Sequence, residues 1–194
     1  MNINNNNFIA IFILFVIILI IMMHYDTLFN NLTYVKSKID GNKYLVRNVE
    51  DKQNAANLIG RINKKILILI EYLKKKKPDD KRTKRLINLY RPSSLSESSA
   101  SEIFTSYSIN KGQKIVLCIR SKKTGKLVDF NTILFVALHE IAHVATKKVG
   151  HVSEFWNTFK YLLTVAIKLK IYNYVDYSKK PKKYCGERIT DSIL

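Results

Sequence analysis

The chain has 194 residues, including 33 Lys or Arg and 15 Asp or Glu, so its formal net charge is +18 at pH 7. This length leaves room for one membrane segment and one compact domain with its own core. The positive charge favours acidic partners, such as nucleic acid or an anionic membrane surface. The two cysteines, Cys118 and Cys185, lack metal-ligand spacing and exclude a disulfide framework. They suit small core residues in a reducing compartment, with a single 118–185 bridge as the alternative.

The amino-terminal segment predicts a membrane anchor. Residues 1–7 are almost all Asn and predict a disordered start. Phe8–Met23 is an unbroken apolar run of sixteen residues, about 24 Å long as a helix and close to the minimum for crossing a bilayer. A cleaved signal peptide is the alternative, but no basic residue precedes the run and no small-x-small site follows it. We therefore expect a transmembrane signal-anchor helix over residues 8–24. The cations from Lys36 to Arg47 then place the C-terminal domain on the cytoplasmic side of the membrane.

The segment that follows predicts a connector and then two helices. Residues 25–50 are expected to form a polar connector with one short strand near Tyr44–Val46. Apolar residues recurring at threes and fours predict a helix over Lys52–Lys76, which ends in a run of lysines before a proline. A second short helix is expected to end at Tyr90, and Ser93–Ser101 is interpreted as a serine-rich loop.

Residues 51–194 are expected to form one domain. Within it, Lys114–Arg120 is the clearest predicted strand. An extended peptide can be held by backbone pairing at a sheet edge, so Ile115 and Leu117 are candidates for substrate binding. A plain core strand is the alternative.

The remaining elements are two helices and an irregular tail. The first helix begins at Asn131 or Thr132 and ends near Lys148, and the second is capped by Ser153. Residues 171–194 read as irregular. A tyrosine in this tail, Tyr177 or Tyr184, is a candidate for stabilising an oxyanion, with packing as the alternative.

The first of these helices carries the string H-E-x-x-H at residues 139–143. His139 and His143 are one turn apart on the same helix face, where they can bind one metal ion together. Gly150 favours an end to the helix before His151, so the chain can fold back and deliver a third nitrogen. Three protein ligands and an open position are typical of one catalytic Zn²⁺ ion rather than a structural one. A set of histidines without metal is the alternative.

Glu140 lies beside the two helical histidines. Zinc lowers the pKa of a bound water molecule and polarises a carbonyl group, which addresses the two difficulties of peptide hydrolysis. We therefore expect Glu140 to be the catalytic general base, which deprotonates the zinc-bound water and passes the proton to the leaving amine.

These residues resemble a known family. The pattern His139-Glu140-x-x-His143 with His151-x-x-x-Phe155-Trp156 resembles the WLM and SprT-like group of small zinc metallopeptidases, which includes Spartan-type DNA–protein crosslink proteases. Three more segments resemble predicted membrane-anchored metallopeptidases of large DNA viruses: Tyr44-Leu45-Val46-Arg47-Asn48, Tyr107-Ser108-Ile109-Asn110-Lys111-Gly112 and Tyr184-Cys185-Gly186. The resemblance covers roughly residues 34–194. It implies an α+β, zincin-like domain of helices plus a small sheet, with the active-site helix carrying H-E-x-x-H and zinc ligands at 139, 143 and 151.

Three functions remain open. The leading hypothesis is a membrane-anchored zinc endopeptidase, in a host or virion membrane, that cuts a protein or peptide substrate. The second is a WLM/SprT-like protease acting on DNA-associated proteins, for which the basic residues 74–85 are a candidate contact with phosphates. Those residues also suit a solvated helix end or an anionic lipid surface. The third is a non-catalytic, zinc-stabilised membrane or virion scaffold, which would not need the carboxylate of Glu140.

Overall fold

The computed structural model describes residues 5–29, 31–191 and 193–194. In chain order its elements are α1 (Asn5–Phe29), β1 (Leu32–Lys36), β2 (Lys43–Arg47), α2 (Lys52–Lys76), α3 (Lys81–Leu89), a 3₁₀ turn (Pro92–Ser94), β3 (Leu95–Glu97), β4 (Ser106–Ile109), β5 (Lys114–Leu117), α4 (Phe130–Ala145), α5 (Ser153–Lys168), β6 (Lys182–Tyr184) and β7 (Glu187–Ile189).

Five strands form one mixed sheet in the order β1-β2-β3-β5-β4. β1 pairs with β2 and β4 with β5 in antiparallel fashion, whereas β3 runs parallel to both of its neighbours, β2 and β5. β4 is therefore an edge strand. The last two strands, β6 and β7, form a separate antiparallel hairpin.

The helices cover one face of this sheet. α2 packs against β1, β2 and β3, α4 packs against β4 and β5, and the two helices contact each other. α3 packs against both of them, and α5 packs against α4. The buried stripe of α2 recurs at threes and fours, as predicted, and places Ile59, Ile62, Ile66, Leu69, Ile70 and Leu73 in the core. Leu67 and Ile68, on the other side of the helix, are exposed. The predicted bounds of this helix are confirmed.

The predicted transmembrane helix is wrong. α1 is a helix, but within the described part of the chain no helix is long and apolar enough to cross a membrane. The unbroken apolar run covers only Phe8–Met23, and about 24 Å of helix is shorter than the roughly 30 Å of hydrocarbon in a bilayer. The single-pass topology with a cytoplasmic C-terminal domain, in a host or virion membrane, depended on this helix and is wrong as well. The membrane partner through residues 8–24 has no support.

The segment before α2 contributes to the sheet. Residues 25–50, interpreted as a connector with one short strand, contain both β1 and β2. β2 is buried because β3 pairs along it, a contact made by residues about 50 positions later in the chain. Residues 1–4 of the predicted disordered start lie outside the described residues, and α1 begins at Asn5. The division of the chain at residue 51 stays a prediction.

The serine-rich segment, interpreted as a loop, contains the short strand β3. β3 is buried at all three positions, and its Glu97 carboxylate is matched by two arginines from other elements. Arg120 Nε donates to Glu97 Oε1 at 2.8 Å, and the Arg47 backbone N–H donates to Glu97 Oε2 at 2.9 Å. Arg120 also donates to Asp51 at 2.7 Å. These hydrogen bonds and ion pairs offset the free-energy cost of burying the Glu97 carboxylate at the centre of the sheet.

The C-terminal tail is attached to the sheet by a disulfide between Cys118 and Cys185. The sequence analysis favoured two separate core cysteines, with a bridge between residues 118 and 185 as the alternative. The structure contains that bridge. Cys185 and Gly186 form the two-residue turn of the β6–β7 hairpin, and both have positive φ, 51° and 94°. A two-residue hairpin turn with positive φ normally uses Asn or Gly at its first position. The disulfide-bonded Cys185 is therefore an unusual residue there.

Candidate active site

Helix α4 positions the first two histidines and the carboxylate between them. Its N-terminus is capped by Asp129, whose side chain accepts hydrogen bonds from the Thr132 backbone and hydroxyl at 3.0 Å. The helix begins and ends slightly earlier than predicted, at Phe130 and Ala145. His139 and His143 are half-buried and one helical turn apart, as the i, i+4 spacing requires.

The loop between α4 and α5 returns His151 to the same place. Gly150 has φ of +80°, a conformation open to glycine, and it lets the chain reverse before α5 begins. Lys111, in the β4–β5 turn, donates to the carbonyl of Lys148 and so attaches the loop to the sheet. The same turn packs closely on α4. An added Cβ on Gly112, which has φ of +102°, would lie 2.8 Å from Val144 Cγ2.

The three ring nitrogens converge. His139 Nε2 lies 2.9 Å from His151 Nε2, and His143 Nε2 lies 3.2 Å from the same atom. Their candidate ligand atoms all lie within 4.8 Å of one another, and these residues could hold a metal ion. The structure thus brings the three predicted ligands together.

The protonation states of the helical histidines suit metal binding. Burial, followed by His143 and His151, lowers the pKa of His139 to about 3. Burial, followed by His151 and Lys111, lowers the pKa of His143 to about 4. Both imidazoles are therefore neutral at pH 7 and can offer a lone pair to a cation.

Glu140 is buried beside the histidines, with 4% of its surface exposed. Burial raises the pKa of its carboxyl to about 8 in the absence of a cation. Together with His139, His151 and Ser106, it lines two adjoining cavities of about 470 and 510 Å³. The carboxylate therefore faces the space in which a substrate would lie.

Aromatic rings hold the histidines in place. Phe155 stacks on His143 with ring centroids 4.2 Å apart, and Trp156 stacks on His151 at 5.6 Å. Phe159 makes an edge contact with His139 at 5.2 Å. Aromatic side chains of helix α5 therefore contact all three imidazoles. These contacts give the aromatic pair after the third histidine a structural role.

Tyr184 lies in this site, at the end of β6. It is buried, it lines the 470 Å³ cavity, and its hydroxyl is 2.8 Å from Ser106 Oγ. Ser106 gives its own proton to the Thr105 carbonyl at 2.8 Å and accepts from the Cys118 backbone N–H at 3.0 Å. The tyrosine is therefore the donor in the bond with Ser106. Tyr177, the other candidate, is buried against Phe135 with ring centroids 4.9 Å apart.

The other predicted substrate residues are not at the site. Ile115 and Leu117 are fully buried on β5, an inner strand paired on both sides by β3 and β4. The strand beside the histidines is β4, whose Ser106, Tyr107 and Ser108 line the 510 Å³ cavity. Sequence reasoning missed this edge. The Asn110-Lys111-Gly112 turn between two extended runs was a signal for the β4–β5 hairpin. The position of β4 at the edge of the sheet follows only from the strand order.

The basic residues 74–85 lie at the end of α2 and along α3. Several are engaged within the chain: Arg82 with Asp80 and Arg85 with the Val144 carbonyl at 3.2 Å, and Lys84 lies 3.1 Å from Asp79. Lys75, Lys76, Lys77 and Lys81 are exposed. This surface retains positive charge, although part of it serves the fold.

Comparison with known proteins assigns the family. The model of the WLM domain family matches residues 38–192. The chain belongs to the WLM family. It is 38% identical over 166 residues to an uncharacterized protein, R325, of Acanthamoeba polyphaga mimivirus, with 84% of each chain covered. It is 32% identical over 164 residues to the uncharacterized protein 136R of Invertebrate iridescent virus 6, covering 79% of this chain and 87% of that protein. The predicted relationship to WLM-type proteins of large DNA viruses is confirmed.

The fold is similar to that of a solved WLM-type structure. The crystal structure of Wss1 from Saccharomyces cerevisiae aligns with a TM-score of 0.50 and 22% identity, covering 65% of this chain and 88% of that chain. At this level of identity the likeness shows the fold, a mixed arrangement of helices and sheet.

Proposed function

We propose that this WLM-family protein is a zinc-dependent endopeptidase that hydrolyses peptide bonds in a protein or peptide substrate. One observation carries the proposal. Three imidazole nitrogens converge next to a buried carboxylate, in a cleft that runs beside an edge strand. Each part has a role in hydrolysis, and the membrane anchoring predicted from sequence plays no part in it.

The donor set fits one zinc ion. Tetrahedral zinc with bonds of about 2.0–2.1 Å separates its nitrogen ligands by roughly 3.3 Å, and two of the present separations are 2.9 and 3.2 Å. Neutral histidines are suitable ligands, and two of the three are neutral because they are buried. Zinc held by His139, His143 and His151 would supply an acidified water molecule and a polarised carbonyl.

Glu140 performs the proton transfers. Its carboxylate accepts a proton from the attacking water and returns it to the amine that leaves, so the same group acts as base and then as acid. Its position on α4, between the two helical histidines, keeps it within the cleft through both steps.

The edge strand holds the substrate. The outer backbone edge of β4 faces the cleft, and an extended peptide can pair with it as a further strand. Ser106 and Ser108 alternate along β4 and present their side chains to the same face, next to the histidines. This placement replaces the earlier assignment of Ile115 and Leu117.

Tyr184 is the candidate group for stabilising the oxyanion. Its hydroxyl lies in the cavity that Glu140 and His139 line, and it is a hydrogen-bond donor there, with Ser106 as its present acceptor.

The test compares casein cleavage by the zinc-loaded full chain and by its Glu140→Gln counterpart. We expect the variant to keep zinc and its melting temperature but to lose activity about 10²–10⁴-fold, the usual contribution of a general base. Equal activity in the two proteins would remove the peptidase proposal. If both proteins bind zinc and neither cleaves casein, the hypothesis of a non-catalytic scaffold remains.

A second candidate is a peptidase directed at DNA-associated proteins. The exposed lysines of residues 74–85 and the net charge of +18 favour it, since both attract phosphates. Its test is cleavage of a DNA-binding protein with and without duplex DNA over a salt series. Salt-sensitive binding with DNA-stimulated cleavage supports this substrate class, and unchanged cleavage excludes it while leaving the first proposal intact.

A further inference from the structure

Two cavities adjoin the histidines, and each has its own set of lining residues. The 470 Å³ cavity lies on the side of Tyr184 and the C-terminal hairpin. The 510 Å³ cavity lies on the side of the β4–β5 turn, where Ser108, Asn110 and Lys111 are among its lining residues. Both include His139 and Glu140, so a peptide bond at the histidines has one cavity on each side.

The Tyr184-side cavity has apolar walls from three separate elements. Phe135 and Val136 lie one turn before His139 on α4, Trp156 and Phe159 come from α5, and Ile189 comes from β7. A volume of 470 Å³ is within the range of small-molecule sites and is ample for one large side chain.

The polar groups of this cavity favour an uncharged occupant. The Tyr184 and Ser106 hydroxyls are already bonded to each other. The charged lining residues Glu187, Arg188 and Asp191 are all exposed to solvent, and two of them are acidic and one is basic. A charged substrate side chain would lose its hydration in the apolar interior without gaining a matching partner there.

We infer that the cleft selects peptide bonds next to a large apolar residue, such as Phe, Leu or Met, whose side chain enters the cavity between Val136, Trp156 and Ile189. This specificity rests on the proposed peptidase function. It names the class of substrate sequence that the proposed reaction takes.

The first test is cleavage of a peptide library by the zinc-loaded full chain, with cut sites identified by mass spectrometry. Large apolar residues are expected about 10–100-fold over Ala at one position beside the cut, the discrimination that an apolar pocket provides. Cleavage with no apolar preference at either neighbouring position overturns the inference and leaves the peptidase proposal standing.

A binding test separates the two proposals, because it needs no turnover. Trp156 is the single tryptophan of the chain and lines the cavity, so its fluorescence reports occupancy. In the zinc-loaded Glu140→Gln protein, a Phe-containing peptide should bind about 10–100-fold more tightly than the same peptide with Ala. Equal binding of the two peptides overturns the inference even if cleavage occurs.

Two variants localise the effect. Val136→Phe narrows the cavity and should shift the preference to small residues, while Val49→Phe makes the same change at an exposed position far from the site and should leave it unaltered. Ile189→Lys adds a cation to a partly exposed wall and should shift the preference to Asp and Glu. An unchanged preference in both cavity variants, with zinc content and melting temperature retained, overturns the inference.

Discussion

The Tyr184 hydroxyl donates to Ser106 Oγ across 2.8 Å and so joins the C-terminal hairpin to the first residue of the edge strand. The same serine accepts from the backbone of Cys118, whose sulfur is bonded to Cys185, the next residue after Tyr184. Two links therefore fix this tyrosine at the cleft.

Tyr184→Phe tests whether the hydroxyl takes part in the reaction. We expect kcat to fall about 10²–10³-fold with KM nearly unchanged, the usual effect of losing one oxyanion donor. Steady-state kinetics on one peptide substrate measure it. Tyr177→Phe is the matched control, because Tyr177 is equally buried but packs in the core. A lower melting temperature with unchanged kcat in Tyr184→Phe would assign the hydroxyl to the fold alone.

His151→Ala is expected to lower bound zinc from about one ion per chain to a small fraction of that, since it removes the atom close to both other nitrogens. Elemental analysis of the purified protein gives the stoichiometry. The control is His24→Ala, which changes the remaining histidine, located in α1. Zinc retained at full stoichiometry after His151→Ala would show that the ion lies elsewhere.

Zinc removal should also destabilise the fold. Free zinc at about 1,000 times its Kd stabilises the bound state by about 4 kcal/mol. For a chain of this size, each kcal/mol corresponds to about 2–4 °C in melting temperature. A chelator should therefore lower the melting temperature of the natural chain but leave that of His151→Ala almost unchanged. Equal chelator sensitivity in both proteins would contradict a site that includes His151.

Replacing both cysteines by serine should lower the free energy of unfolding by about 4 kcal/mol, because the bond closes a loop of 67 residues. Urea denaturation measures this loss. Reduction of the natural chain should have the same effect and should also redshift Trp156 fluorescence, since the hairpin lines a cavity with that ring. The double variant is the control and should not respond to the reductant. A natural chain with two titratable thiols after purification without reductant would contradict the bond.

Asp129→Ala should reduce stability by about 1 kcal/mol at pH 7, because it removes the N-cap of the helix that carries the histidines. Burial opposes ionisation of Asp129, but Lys182 and Thr132 outweigh it and hold the pKa below its ordinary value of 3.8. A lowered pKa contributes stability that is present above 3.8 and is lost as the pH falls through the folded-state pKa. The difference between the variant and the natural chain should therefore shrink in acid to the part that a neutral carboxyl oxygen retains. Asp129→Asn, which keeps a capping oxygen, should lose less at pH 7. A difference independent of pH would contradict the role of the ionised carboxylate.

Local patterns were sufficient to predict the helices. Ile59, Ile62 and Ile66 repeat at helical spacing, and the bounds of α2 follow from them and from the lysines before Pro78. His139 and His143 lie on one face of α4 because their spacing of four residues also matches the helical repeat. The return of His151 depended on a single flexible residue, Gly150, and was predicted from it. Zinc itself stays a prediction at these positions.

Long-range pairing was not predictable in the same way. β3 has the composition of a loop, and it is a strand because it pairs with β2 and β5. Its Glu97 side chain accepts hydrogen bonds from Arg47 and Arg120, residues distant in the chain. Ile115 and Leu117 have the pattern of an edge strand or a core strand alike, and only the pairing with β4 decides between them. The bond between Cys118 and Cys185 depends on the position of a hairpin in a tail whose sequence has no regular period. The prediction of a transmembrane helix was wrong for a different reason. Its apolar run was near the minimum length for crossing a bilayer.

Gly112 has no space for a side chain against Val144. The turn after the edge strand packs on the end of the histidine helix, where an added Cβ would lie 2.8 Å from Val144 Cγ2. Because φ of Gly112 is +102°, a side chain there would also strain the backbone. Even an alanine at 112 would therefore displace the turn or the helix, so close packing between these two elements depends on a position outside the proposed catalytic residues.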